Sequence, residues 1–264
     1  MTCAYLPVLL RSLCLGEMAH ELERITEEAG RDGWSHEQYL RSLCDVEISR
    51  RAQRRQQRLL KDSQLPEDKT LAGLEQNRLS LRVRRQLATL LEGRFVEQAE
   101  NVLAFGLPGR GKTHLCCAIA RELILTKGYR ALFVKTVHLV QQLLAAKRDL
   151  RLEAVLRKLD GYDIVVLDDI GYVQQDRDEM EVLFTFLSER YERRSLMISS
   201  NLVFSQWDKI FKDPVTTAAA IDRLVHHSII LELDGESYRM QHAKTKKQKG
   251  DNYCLLYTSD AADE

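Results

Sequence analysis

Eight consecutive residues, Gly106-Leu107-Pro108-Gly109-Arg110-Gly111-Lys112-Thr113, carry the spacing Gly-x-x-x-x-Gly-Lys-Thr. Glycines at these positions let the backbone wrap a phosphate chain closely, with successive N–H groups and the positive end of a helix dipole aimed at it. Lys112 is then placed to reach the β- and γ-phosphates, and the Thr113 hydroxyl to ligate Mg²⁺. A glycine-rich turn that only reverses the chain would use similar residues, so the flanking sequence decides between the two. Asn101 to Phe105 is short, apolar and β-prone, which reads as a buried strand. Leu115, Ile119 and Leu123, spaced by four, read as one face of a helix. Strand, loop and helix in that order give the motif its mechanism, and the chain is expected to bind a nucleoside triphosphate.

Two more polar groups follow apolar runs. Ile164 to Leu167 is followed by Asp168 and Asp169. Adjacent carboxylates repel, and burial at a strand end raises the cost of their charge. A bound Mg²⁺ offsets both: Asp168 would hold its hydration shell opposite Thr113, and Asp169 would orient or deprotonate water near the γ-phosphate. A capping turn is the simpler alternative. Ser199-Ser200-Asn201 closes another apolar run. Asn201 offers a neutral donor for the attacking water or the γ-phosphate, with a turn-forming role as the competing reading. Arg223, within Ala220-Ile221-Asp222-Arg223-Leu224, is a candidate arginine lent by a neighbouring subunit to the transition state, worth roughly 10³–10⁵ in rate. Arg190, Arg193, Arg194 and Arg239 compete for that role, as does a plain surface arrangement of Asp222 with Arg223. The candidate catalytic residues are thus Lys112, Asp169, Asn201 and Arg223, and the candidate Mg²⁺ ligands Thr113 and Asp168.

These residues need a frame that gathers strand ends. From Asn101 onward apolar runs alternate with helical spacing: strands at 131–134, 164–167, 196–199 and 228–231, helices around 137–147 and 177–193. Continuous apolar strands separated by helices predict an α/β fold with a five-stranded parallel sheet covered on both faces. Ligands of such sheets sit at the carboxyl ends of the strands, where all the motifs above fall.

The first 65 residues read as a separate helical unit. Leu9, Leu13, Met18, Leu22 and Ile25 suit amphipathic helices separated near Gly16, and Gly30-Arg31-Asp32-Gly33 breaks the pattern. Ser35 and Gln38 have capping-box spacing, with Trp34 and Tyr39 as a hydrophobic staple. The helix starting there runs towards Leu60, about 36 Å at 1.5 Å per residue. Its second half carries Arg50, Arg51, Arg54, Arg55, Arg58 and Lys61. Spacing by three and four gathers most of them on one side, a stripe suited to sequence-independent, salt-sensitive contact with a phosphate backbone. A solvated helix face is the alternative. Residues 66–94 read as a helical connector, linker-like at Pro66 to Asp68, helical in spacing from Leu71 to about Gly93, with Arg82, Arg84 and Arg85 as a further basic cluster.

Composition sets outer bounds. The 264 residues fit one medium α/β domain plus a smaller accessory region, and 39 basic residues balance 39 acidic ones. A net charge of zero argues neither for nor against nucleic acid, so local clustering has to carry that point. Six scattered cysteines contain no Cys-x-x-Cys pair, which excludes a zinc ribbon, and Cys116 with Cys117 read as small buried residues. A reduced, cytoplasmic setting follows from that usage. No apolar run approaches the roughly 18–20 residues that span a bilayer. The segment 244–264 opens basic, and from Asp251 to Glu264 it changes character enough to read as foreign to the fold.

Taken together, the residues resemble a known family. Phe95-Val96-Glu97-Gln98-Ala99-Glu100-Asn101-Val102-Leu103, Asp168-Asp169-Ile170-Gly171, Ser199-Ser200-Asn201-Leu202, Ile221 to Ser228 and Gly235-Glu236-Ser237-Tyr238-Arg239 look like an IstB-type transposition helper ATPase. That family sits in the AAA+ class beside the DnaC helicase loaders and DnaA initiators. The resemblance covers about Phe95 to Lys247 closely and the N-terminal helices more loosely. It implies an AAA+ ATPase domain over 95–243, ATP with Mg²⁺ as cofactors, and ATP-dependent self-assembly on duplex DNA that guides a partner transposase to its target. It implies also that ATP lies between subunits, with Arg223 the finger, and that Asp169 stands where many AAA+ proteins carry glutamate. The chain after Tyr238 is shorter than the usual helical lid. A helicase loader shares these features, differing in an N-terminal region that grips a replicative helicase. A P-loop kinase and a switch that binds ATP without hydrolysing it are the readings from other classes.

Overall fold

The structure, a computed structural model, describes residues 5–170, 177–202, 206–207 and 214–234, with the backbone alone at 214–216. It divides into two compact units, Met1–Leu59 and Leu60–Glu264. Gly171, Arg239, the Gly235 to Arg239 motif and the tail from 244 onward lie outside the described residues.

The first unit holds α1 (Leu6–Ser12), α2 (Gly16–Asp32) and most of α3 (His36–Asp62). Gly33, at φ 63°, adopts the left-handed conformation that closes α2. The capping box that opens α3 is reciprocal: Ser35 N–H donates to Gln38 Oε1 at 2.8 Å and Gln38 N–H to Ser35 Oγ at 3.2 Å. Met18, Leu22, Ile25 and Leu43 form a small core, with Trp34 and Tyr39 packed against it. Beside that core the buried Glu47 carboxylate accepts from the N–H groups of Glu17, at 2.8 Å, and Met18, at 3.2 Å. These are first-turn donors of α2 that have no partner within their own helix.

The second unit is the five-stranded parallel sheet. Its strands are β1 (Asn101–Phe105), β2 (Ala131–Lys135), β3 (Ile164–Asp168), β4 (Ser195–Ser200) and β5 (Ser228–Glu232), in the order β2-β3-β4-β1-β5. Each pairing is parallel, with Leu103 opposite Ile198 and Ile230, and Val166 opposite Met197 and Phe133. Preceding and interleaved helices are α4 (Leu81–Leu91), α5 (Arg94–Glu97), α6 (Lys112–Lys127), α7 (Thr136–Arg148), α8 (Leu152–Asp160), α9 (Arg177–Arg190) and α10 (Pro214–Val225). Leu103, Phe105, Val165, Leu167, Leu196 and Ile198 share one core with apolar residues of α7, α9 and α10. Side chains alternate along a strand, so Val102, Ala104, Val166 and Met197 point to the other face. Asn101, buried at the start of β1, is tied three ways. Its N–H donates to His227 O at 2.8 Å, its Nδ2 to Leu224 O at 3.3 Å, and its Oδ1 accepts from Leu196 N–H at 3.0 Å.

Two expectations about helices need correction. The helical spacing from Leu71 holds only from Leu81; before it lie turns and a short 3₁₀ segment, Gln76–Arg78. There the Thr70 hydroxyl accepts from Gly73 N–H at 3.1 Å, a local bond that competes with helix, and the Ser80 hydroxyl caps α4 through Val83 N–H. α9 ends at Arg190 instead of 193, because the backbone turns left-handed at Glu192, φ 56°, while the Arg190 guanidinium turns inward to the carbonyls of Leu159, Tyr162 and Ser195. Helices α8 and α10 had no counterpart in the reading of the sequence.

Candidate nucleotide site

The loop between β1 and α6 has the backbone its glycines permit. Gly106, Gly109 and Gly111 lie at φ 150°, 81° and 86°, conformations that residues with a Cβ rarely adopt. At Gly106 space is lacking as well, since a Cβ there would meet Leu233 O at 2.5 Å. Gly111 then opens α6, so the first N–H groups of that helix face the loop. Leu107, Pro108 and Arg110 complete it. Arg110 is turned aside, donating to Leu233 O at 3.2 Å with Asp234 at 3.5 Å.

The strand ends meet beside this loop. The Thr113 hydroxyl donates to Asp168 Oδ1 at 2.6 Å, and Ser199 Oγ donates to the same oxygen at 2.7 Å. Ser199 Oγ also accepts the Asp169 N–H at 2.9 Å, so one buried hydroxyl fixes both aspartates. Thr136 closes the arrangement by donating to Asp168 O at 3.0 Å. Asp169 stands at φ 64°, and its Oδ1 accepts from Asn201 Nδ2 at 2.8 Å. The other end of the Asn201 amide accepts from Lys112 Nζ in a short hydrogen bond. Lys112 Nζ further donates to Gly106 O at 2.7 Å and Leu107 O at 3.1 Å. Burial holds the Lys112 amine below its usual pKa, and the charges of Asp169 and Asp168 oppose that shift.

Lys112, Thr113, Asp168, Asp169 and Asn201, chosen from three separate stretches of sequence, are therefore one bonded cluster. Its oxygens are hard donors of the kind Mg²⁺ takes, and Thr113 and Asp168 already adjoin, so the residues fit that ion. A cavity of about 450 Å³ opens on the cluster, lined by Gly109, Lys112 and Thr113 and by Lys69, Leu74 and His114. The connector is thus part of the wall: His114 Nε2 donates to Thr70 O at 2.8 Å, and Arg121 to Pro66 O at 2.8 Å. Reading the sequence missed Ser199, Thr136 and this connector wall. Only the place of Ser199, two residues before Asn201, was a signal for the first.

Other candidates fall elsewhere. Arg223 is half-buried on α10, its guanidinium 5.0 Å from the Phe184 ring centre and donating to Ala219 O at 3.1 Å. Arg190 is buried among carbonyls, while Arg193 pairs with Asp160 and Glu189, and Arg194 with Asp163. Cys116 and Cys117 are buried on α6, and burial pushes the Cys117 thiol up to about 12, which leaves it unreactive. On α3 the stripe divides. Arg50 and Arg54 reach Glu17 at 3.4 and 3.3 Å, and Arg51 reaches Glu47 at 2.8 Å. Arg55, Arg58 and Lys61 are exposed and make no ion pair among the described residues.

A model of the IstB-like ATP binding protein family matches residues 8–246. A protein of Sinorhizobium fredii, named as an insertion sequence ATP-binding protein, is 39% identical over 98% of this chain and 87% of its own. The protein named as the ATP-binding protein of insertion sequence IS21 from Pseudomonas aeruginosa is 36% identical over 93% of this chain and 91% of its own. Among solved structures, DnaI superposes with a TM-score of 0.53 at 22% identity, over 65% of this chain and 95% of that one. AMPPCP-bound DnaA from Aquifex aeolicus gives 0.52 at 17% identity, over 70% and 56%. At these identities the likeness to solved structures is one of fold. Among the described residues no helix is long and apolar enough to cross a membrane.

Proposed function

Since this chain belongs to the IstB-like ATP-binding proteins of insertion sequences, we propose that it is a Mg²⁺-dependent ATPase that assembles on duplex DNA and assists the transposase of the same element in target selection. The observation that carries the reading is the Thr113–Asp168–Ser199 and Lys112–Asn201–Asp169 network. Mg²⁺ would supply charge neutralisation at the phosphates, held through Thr113 and Asp168. The loop N–H groups bind the phosphate chain, and Lys112 exchanges its carbonyl partners for phosphate oxygens. Asp169 takes the proton of the attacking water, and Asn201, bonded to Asp169, orients that water. Arg223 serves a neighbouring copy, its guanidinium leaving the Phe184 ring to reach the phosphate across the interface.

Arg55, Arg58 and Lys61 are the residues of the stripe best suited to the DNA backbone, because no carboxylate competes for them. Arg50, Arg51 and Arg54 contribute through a face already partly neutralised. In this reading residues 1–65 make DNA and partner contacts, 66–94 connect, and 95–243 bind ATP.

Gel filtration with light scattering tests this directly, run with duplex DNA and ATP, ADP or no nucleotide, alongside phosphate release without any acceptor. A large DNA-bound assembly with ATP alone, together with acceptor-independent phosphate release, is the expected result. A monomer indifferent to DNA in all three states overturns the assembly. Phosphate release that requires an added acceptor puts a kinase in its place.

A further inference from the structure

At the opposite ends of the same strands lies a second group of ligating side chains, which the ATPase reading does not use. Glu192 sits in the turn before β4, and His226 and His227 sit between α10 and β5. One ligand atom from each lies within 4.8 Å of the other two, and all three residues are exposed. His227 Nε2 is 3.7 Å from Glu192 Oε1, and the two imidazole centres are 4.1 Å apart. Because the sheet is parallel, this cluster is separated from the phosphate loop by the length of a five-residue strand, about 16 Å.

We propose that Glu192, His226 and His227 form a binding site for a zinc-class divalent cation, bridging the turn before β4 to the turn before β5. Two imidazoles and a carboxylate are the donor set that such an ion prefers over Mg²⁺, and three protein ligands leave a fourth position for water. Tetrahedral zinc with ligands at 2.0–2.1 Å needs its donor atoms about 3.3 Å apart. Exposed side chains close the present separations by rotation about their own bonds, with no core to disturb.

The surroundings prepare the ligands. The Tyr191 hydroxyl lies 2.9 Å from His226 Nδ1. With the phenol oxygen accepting from Nδ1–H of His226, Nε2 keeps its lone pair for the metal. The tautomer is assigned from this network. No lysine or arginine pairs with Glu192 among the described residues. The other cluster of this type, Glu17, His20 and Glu21, is different: its carboxylates are occupied by Arg24, Arg50 and Arg54.

Calorimetric titration of the full chain with zinc chloride, in excess Mg²⁺, tests the site. The expected result is one equivalent of zinc that disappears in the His226→Asn, His227→Asn double variant. Glu192→Gln should weaken it at least about tenfold, and His20→Asn should leave it intact. Circular dichroism checks that each variant folds, and Co²⁺ in place of zinc should give a d–d band without thiolate charge transfer. The same stoichiometry and affinity in the double variant overturns the proposal. So does the absence of saturable zinc binding by the parent chain, or a band dominated by thiolate. None of these readouts depends on ATP hydrolysis, so they stand or fall apart from the proposed ATPase.

Discussion

The phosphate-loop end of the sheet and the arginine face of α3 both concentrate charge, yet they hold it in opposite ways. At the strand ends Lys112, Thr113, Asp168, Asp169, Ser199 and Asn201 bond to one another, and Lys112 and Ser199 are buried. A buried polar group left without a partner costs about 1–3 kcal/mol, so few arrangements are tolerable there. On α3 the arginines are exposed, three bonded to glutamates and three cations without an ion pair among the described residues. Exposed pairs are worth about 0–1 kcal/mol, so the helix holds charge of one sign without fixing what it meets. Burial converts residue types into one geometry, and exposure leaves them as a capacity.

The contrast can be broken most sharply at Asp169. Asparagine tolerates its left-handed backbone, so Asp169→Asn should lower steady-state ATP turnover about 10²–10⁴-fold with ATP affinity kept. Equal turnover in that variant would remove Asp169 from the reaction. Lys112→Ala removes a charged hydrogen-bond donor and should weaken ATP binding about 10–100-fold, as fluorescent-nucleotide titration would read. Normal affinity would sink the loop assignment. On the exposed side, replacing Arg55, Arg58 and Lys61 with Ala should flatten the log–log salt dependence of DNA binding by nearly 3, about 0.9 per lost phosphate contact. The Arg50, Arg51, Arg54 triple variant should change that slope less. Equal slopes would show that the glutamate pairs do not matter.

The smallest effect concerns Glu47, the one buried carboxylate among the described residues of the first unit. Burial acts to raise its pKa, but Arg51 and the N–H groups of Met18 and Glu17 outweigh that and hold it below its ordinary 4.5. Its contribution is therefore full above about that pH and lost as pH falls through the lower folded-state value. Thermal melts should show the N-terminal unit weakening in acid. Glu47→Gln should cost about 1.5–3 kcal/mol at neutral pH and flatten the acid dependence. An unchanged acid limb would assign it to other carboxylates.

How much could be read beforehand follows the same division. The five strands were legible because their apolar runs are continuous, and the loop because its glycine spacing stands between a strand and a helix. The helical spacing from Leu71 misled as far as Ser80: Leu74 and Leu79 are buried there, but in a loop. Ser199 was invisible as a bridge, since a serine in a strand looks the same whether or not it holds two aspartates. The Arg50 and Arg54 pairs were hidden because Glu17 is more than thirty positions away, beyond any local pattern.

Asn101 has one more consequence. Its amide pins the carbonyl of Leu224, next to Arg223, to the N–H of Leu196, while its own backbone begins the strand that ends in the phosphate loop. Such a pin works as a fulcrum: α10 cannot tilt without either breaking buried bonds or dragging the root of β1. Mechanical load on the Arg223 helix therefore has a stiff path to Gly106, running through five residues of strand with no hinge between them.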